Sequence, residues 1–319
     1  MGGFFSAAGD VLSNEVSYDA AMRFAVLLVF AGIGETIAER AGTLNISVEG
    51  MILGGAFSGA MGMDIAMSQG LGVSGAVAVG LVFAVAAGVA VASAQANMSH
   101  RLTANQFVVG LAINILVLGM AAFLNSNLQP VTRAAPSVKI PLLADIPLLG
   151  GALFDQTWPL YLVYPLVPMA WWLLYRTRWG LEVRSVGENP QAADVSGIDV
   201  NRRRREAIYV AGMTSGLGGG YLVLGQVGSF EGSIVGGQGF IAIAAVIFGG
   251  WTLRGVVAGC LLFGTVNSFR LTLGPLGHDV NSELLSSAPF LVTIVTVAIF
   301  AHRSQAPKAL ARPFIRGLN

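Results

Sequence analysis

Charge is what this sequence has least of. Only 11% of its 319 residues are Asp, Glu, Lys or Arg, against about a quarter in a soluble domain. Lysine is nearly missing: Lys139 and Lys308 are the only two, and neither stands in a glycine context. The pattern G-x-x-x-x-G-K-[ST] is therefore absent, and ATP hydrolysis by that route is excluded. The single cysteine, Cys260, lies in an apolar run, which rules out an internal disulfide framework and reads as a small core residue. Three histidines, His100, His278 and His302, are scattered and form no metal set. No residue stands as a nucleophile beside its base. A net charge of +1 gives no reason to expect nucleic acid. No cleavable signal peptide is expected, because the first apolar run begins near Phe24 behind a polar, acidic lead. Residues 1–19 read as a short amphipathic or disordered tail.

What remains is apolar. At 54% hydrophobic residues and a mean hydropathy of +0.70 the chain reads as a membrane protein. The alternation of an outer-membrane barrel is absent, so the spans are α-helical, and 42 glycines suit helices packed closely through small residues. With about 20 apolar residues needed per crossing, candidate spans fall at 20–38, 48–62, 72–96, 107–124, 158–175, 207–226, 239–250, 255–273 and 287–302. That is an all-α polytopic bundle of about nine helices, within a range of eight to ten, two of them short, in one transmembrane domain spanning 1–319. If the segment 176–206 is cytoplasmic, 14 of the 18 basic residues lie on that side and only Arg23, Arg133, Lys139 and Arg270 on the other. The bias places the N-terminus outside and the tail 303–319 in the cytoplasm.

Residues 125–157 carry Pro130, Pro136, Pro141 and Pro147 and read as a long outer loop between two halves. In the first half Val48-Glu49-Gly50 opens a short glycine-rich run; in the second Gly237-Gln238-Gly239 opens another, pointing the opposite way. Short, interrupted segments at matching places are the mark of an inverted repeat with a pathway between its halves. Polar groups at span mouths need a partner or water. Asn45, Glu49, Asn114 and Gln238 are the candidates for lining that pathway, although Glu49 and Gln238 read equally as helix caps. Glu39 and Arg40 read as a solvated helix end, and Glu35, one turn earlier, shares that fate or pairs with Arg40. Gly216, Gly218, Gly219 and Gly220 lie inside an apolar span with no strand before them, so they read as a packing surface rather than a dinucleotide loop.

The segment Arg176–Glu206 is the only long, strongly charged stretch, with seven arginines against five acids. Asn189 before Pro190 reads as an N-cap with proline at the first helical position, and Gly197 as the stop. The expected short helix, Pro190 to Ser196, turns Ala192, Ala193 and Val195 outward. It is a knob for another protein's groove or an ordinary solvated loop.

Three stretches, AERAGTLNISVEGMILGGAF (38–57), RSVGENPQAADVSGI (184–198) and GFIAIAAVIFGGW (239–251), resemble the permease subunits of bacterial ABC importers of the branched-chain amino acid, ribose and nucleoside type. The NISVEG form is closest to the nucleoside and simple-sugar branch, and the resemblance covers about residues 20–312. It implies a multi-pass subunit of the bacterial inner membrane that moves nucleosides or simple sugars inward. The segment 176–206 would dock on a separate ABC ATPase, which binds ATP and Mg; this chain would bind no cofactor or metal and catalyse nothing. Arg184, Gly187, Glu188, Asn189, Pro190, Ala192, Ala193 and Gly197 would carry the coupling, with Gln191 where the family usually has glutamate. A second, related permease and an extracytoplasmic lipoprotein or periplasmic substrate-binding protein would complete the assembly in its lipid. Two other readings stand beside it: an ion-coupled secondary transporter with a proton on Glu35 or Glu49, and a scaffold or channel without coupled transport.

Overall fold

The computed structural model describes residues 9–276 apart from position 12, residues 306–316 and scattered positions between 287 and 298. The expected span at 287–302 lies outside the described residues. Among the described residues six helices are long and apolar enough to cross a membrane. They are α1 (Glu15–Arg40), α2 (Val48–Ser68), α3 (Val73–His100), α4 (Gln106–Leu128), α9 (Val200–Tyr221, continued by a π turn to Val227) and α11 (Leu253–Thr272). Between them lie α5 (Gly150–Phe154), α6 (Val163–Arg176), α7 (Arg178–Glu188), α8 (Pro190–Val195) and α10 (Gln238–Phe248). Two three-residue strands, β1 (Ser137–Lys139) and β2 (Asp155–Thr157), pair antiparallel within the proline-rich loop.

Several boundaries differ from expectation, each for a local reason. The tail expected to reach residue 19 gives way to helix at Glu15, because Asn14 accepts the Val16 amide at 2.9 Å as an N-cap. The run expected to be short at 48–62 continues through Met63 and Ala66, both buried, to Ser68. The crossing expected at 158–175 splits into a 3-10 turn, Trp158–Leu162, and the 14-residue α6, with Pro159 in the first and Pro168 inside the second. The segment 176–206 is helical almost throughout, as α7, α8 and the start of α9.

Helices α1, α2 and α9 form the inner layer. Their most apolar windows are 78%, 67% and 78% buried, whereas that of α4 is 28% buried and leaves Phe107, Leu116 and Phe123 exposed. Lipid is as apolar as leucine, so burial of hydrophobic area does not by itself hold such helices together; close approach does. The crossing of α3 and α9 shows how. A Cβ placed on Gly216 would lie 2.5 Å from the Ala84 carbonyl oxygen and 3.0 Å from the Gly88 Cα. One on Gly220 would lie 2.7 Å from the Ala84 methyl. The glycine run is thus a packing surface, as its setting in an apolar span predicts.

Gly216→Val should force α3 and α9 apart at a cost of ~1–3 kcal/mol, read as a lower melting temperature in detergent. Gly119→Val, where the added Cβ meets nothing within 4 Å beyond its own helix backbone, should leave the melting temperature unchanged.

Candidate functional site

After α1 ends, residues 41–47 turn back into the bundle and their polar groups find partners there. The Thr43 hydroxyl lies 3.0 Å from His100 Nε2, and the Leu44 amide donates to Gln106 Oε1 at 2.8 Å. Asn45, fully buried, donates to Glu35 Oε2 at 2.8 Å and accepts from the Ser47 hydroxyl at 2.8 Å. Asn114 on α4 clips the next step: its Nδ2 donates to the Ile46 carbonyl, and its Oδ1 accepts the Gly50 amide, both at 2.8 Å. Neither α2 nor α10 has a capping bond from its own N-cap side chain. Glu49 instead crosses to the other half of the chain, where its carboxylate accepts the Gly237 amide at 2.8 Å and the Gly239 amide at 2.7 Å. Paired acceptance of helix-starting amides by a carboxylate is a strong, charge-assisted arrangement.

The four residues expected to line a pathway are therefore brought together, at the joint between the starts of α2 and α10. Three have their polar groups committed to the framework. Gln238 Oε1 is buried and has no partner among the described residues.

One helical turn past Glu35, Glu39 is buried and not solvated: it accepts the indole N–H of Trp251. Arg40 donates to the Trp251 carbonyl at 2.7 Å and lies 3.9 Å from Glu188. The reason is positional: the turn between α10 and α11 folds over the end of α1, so these charges meet a protein surface instead of water. Glu35 pairs with Asn45 and not with Arg40.

At the same end of the bundle stands the charged segment. Asn189 accepts the Ala192 amide at 3.0 Å, capping α8 behind Pro190. The far end closes as a Schellman motif: the Gly197 amide donates to Asp194 at 2.9 Å and the Ile198 amide to Ala193 at 3.0 Å, with Gly197 at φ +86°. Ala192 and Val195 face outward, Val195 at 90% exposure. Ala193, expected outward, is instead buried with Val186, Val200 and Phe314, because a one-and-a-half-turn helix resting on a surface must set one side against it. Glu188, Asn189, Pro190, Ala192, Ala193 and Gly197 sit together. Gly187 is buried behind them, and its carbonyl accepts the Ala309 amide at 2.9 Å. Arg184 lies apart, its guanidinium 5.3 Å above the Tyr175 ring and donating to the Gly180 carbonyl at 3.3 Å.

Sequence reasoning missed Arg204 and Phe314. Arg204, one of four consecutive arginines, is fully buried. Helical phase could have found it, since Arg204 shares a face with Val200, Ala207, Ile208 and Ala211, all buried. Phe314, near the chain's end, carried no such signal.

The family described as branched-chain amino acid transport system / permease component matches residues 17–298. The chain belongs to this permease family. The permease is 35% identical over 308 residues to the guanosine ABC transporter permease protein NupQ of Bacillus subtilis (strain 168), covering 93% of this chain and 96% of that one. It is 33% identical over 296 residues to the nucleoside ABC transporter permease protein NupC of Lactococcus lactis subsp. cremoris, covering 88% and 91%. The fructose import permease protein FrcC of Rhizobium meliloti is 33% identical over 156 residues, 47% of this chain and 42% of that one. The permease is accordingly a transport component and not an enzyme, a multi-pass inner-membrane protein of an ABC importer, whose family implies an ATPase and a substrate-binding protein as partners.

Glu49→Ala would leave the Gly237 and Gly239 amides open at the start of α10. We expect a loss of ~0.5–2 kcal/mol in stability, the usual cost of a lost cap, measured by thermal unfolding, together with a fall in transport. Glu49→Gln, which keeps an acceptor but not the charge, should fall between the variant and the native chain.

Proposed function

We propose that the permease carries nucleosides inward, received from an extracytoplasmic lipoprotein or periplasmic binding protein and driven by ATP and Mg held on a separate ATPase. This chain itself holds no cofactor. The observation that carries the substrate class is likeness along nearly the whole chain to NupQ and NupC, permeases named for guanosine and nucleosides. Simple sugars are the second reading, favoured by the partial likeness to FrcC.

In this reading the chain is one permease body, 1–319, working beside a second, related permease, with lipid around its exposed faces. Residues 125–157 face outward, and the segment 176–206 and the tail 303–319 face the cytoplasm, as the excess of arginine favours. The coupling surface is α8 and its flanks, Glu188 to Gly197. Its own cap and a Schellman turn close this helix at both ends, and its outward Ala192 and Val195 can seat in a groove of the ATPase. Gly187 supports that surface from behind, while Arg184, held on the Tyr175 ring, stands apart from it. The pathway runs by the joint of α2 and α10. Gln238 offers the free acceptor a polar substrate needs there, while Asn45, Glu49 and Asn114 hold the two helix starts in place. Commitment of both Glu49 oxygens to backbone amides leaves the ion-coupled alternative without a free carrier at Glu49.

The test is reconstitution with the co-purifying ATPase in liposomes, adding a binding protein with nucleosides, pentoses, hexoses or amino acids in turn. Hydrolysis stimulated by a nucleoside is the expected outcome; stimulation by a sugar alone would move the substrate to the second reading, and absence of any bound ATPase would sink the importer assignment. Gly197→Val places a branched side chain at a left-handed residue, with ~1–2 kcal/mol of strain. It should abolish stimulated hydrolysis while the chain still inserts. A cysteine at Ser137 should react with a membrane-impermeant label from outside intact cells and one at Val195 should not; the reverse pattern would overturn the orientation.

A further inference from the structure

The last described residues, 306–316, fold back beneath the charged segment and are stitched to it and to the end of α1. The Ala309 amide donates to the Gly187 carbonyl at 2.9 Å, and the Ala311 amide to the Gly42 carbonyl at 3.2 Å. Arg204 fastens the same junction from α9. Its Nε donates to the Ala41 carbonyl at 3.2 Å, Nη1 to the Arg312 carbonyl at 2.7 Å and Nη2 to the Ala309 carbonyl at 3.5 Å. A fully buried guanidinium is costly unless its donors are satisfied; here carbonyls from two remote parts of the chain satisfy it, and losing the tail would take away the partners of Nη1 and Nη2. Phe314, 7% exposed, then enters the apolar cluster of Val186, Ala193 and Val200 directly under α8. Arg316 closes the far edge, 3.3 Å from Asp194 on α8.

We propose that this C-terminal segment is a clamp that positions α8, with Phe314 and Arg204 as positioning residues for coupling. The proposal rests on α8 being the coupling surface. A six-residue helix is far too short to be stable alone, and its caps fix its ends but not its orientation. Its buried residues, Pro190 and Ala193, are both small; of the two Ala193 joins the cluster, and a methyl group gives little grip. The clamp supplies what is missing: an aromatic ring beneath, an ion pair at one side, and a hydrogen-bonded path to the end of α1. There Arg40 and Glu39 hold Trp251, at the turn that follows α10. A push on α8 is thereby passed to the helix whose other end is held by Glu49.

The experiment uses the full-length permease with its ATPase, and three variants: Phe314→Ser, Phe314→Leu and a chain ending before Pro307. Hydrogen exchange in the permease alone should show the amides of residues 191–197 opening about tenfold faster in Phe314→Ser and in the shortened chain, with Phe314→Leu close to native. In the complex, hydrolysis stimulated by the loaded binding protein should drop about tenfold toward the unstimulated rate in the same two variants and recover with Phe314→Leu. Unchanged exchange over 191–197 would overturn the clamp, as would equal acceleration throughout α1 and α9, which would make Phe314 a general stability residue. Faster exchange confined to 191–197 with normal stimulation would overturn its part in coupling. If the shortened chain does not fold, the two Phe314 variants decide alone. Faster exchange in a native-like permease that binds no ATPase would leave the clamp standing and remove the coupling reading instead.

Discussion

A helix that begins inside an apolar bundle exposes amides that no water can reach, and the fold depends on closing two such beginnings. Those of α2 and α10 meet, and each is closed from outside itself: Asn114 on α4 accepts the Gly50 amide, and Glu49 on α2 accepts those of Gly237 and Gly239. An unpartnered buried amide costs more than a hydrogen bond gains, so these contacts fix where the two halves of the chain can lie. The turn 41–47 follows from the same demand. Its Thr43, Asn45 and Ser47 enter the interior only because His100 and Glu35 wait there.

The opposite kind of joint holds the charged end. There the chain is polar and near water, and what must be satisfied is a single buried cation. Arg204 gathers carbonyls from the end of α1 and from the last residues of the chain, so three segments far apart in sequence share one fixed block. Between the closed helix starts and this block runs α10, tethered at its first turn by Glu49 and at the turn beyond its last by Glu39 and Arg40. Both ends of α10 are thus held by side chains of other helices.

Much of this was legible. Hydropathy gave the membrane class, and six of the expected crossings coincide with the long helices. Asn189, Pro190 and Gly197 gave α8 to within a residue, because capping chemistry is local. Glycines in an apolar run gave a packing surface. Proline was read less well: Pro159 and Pro168 divide a run whose average hydropathy looks like one span.

The outcome for polar residues divides by range. Apolar segments, helix ends capped by their own neighbours such as those of α8, and the family likeness could be read along the chain, since each depends on contacts within a few positions or on linear pattern. What the buried polar groups do depends on packing between remote helices. Glu39 and Trp251 are 212 residues apart, Glu49 and Gly239 are 190, and Arg204 and Arg312 are 108. Burial makes each of these groups require a partner, but chain order does not say which, because the choice is made by helices packing side by side.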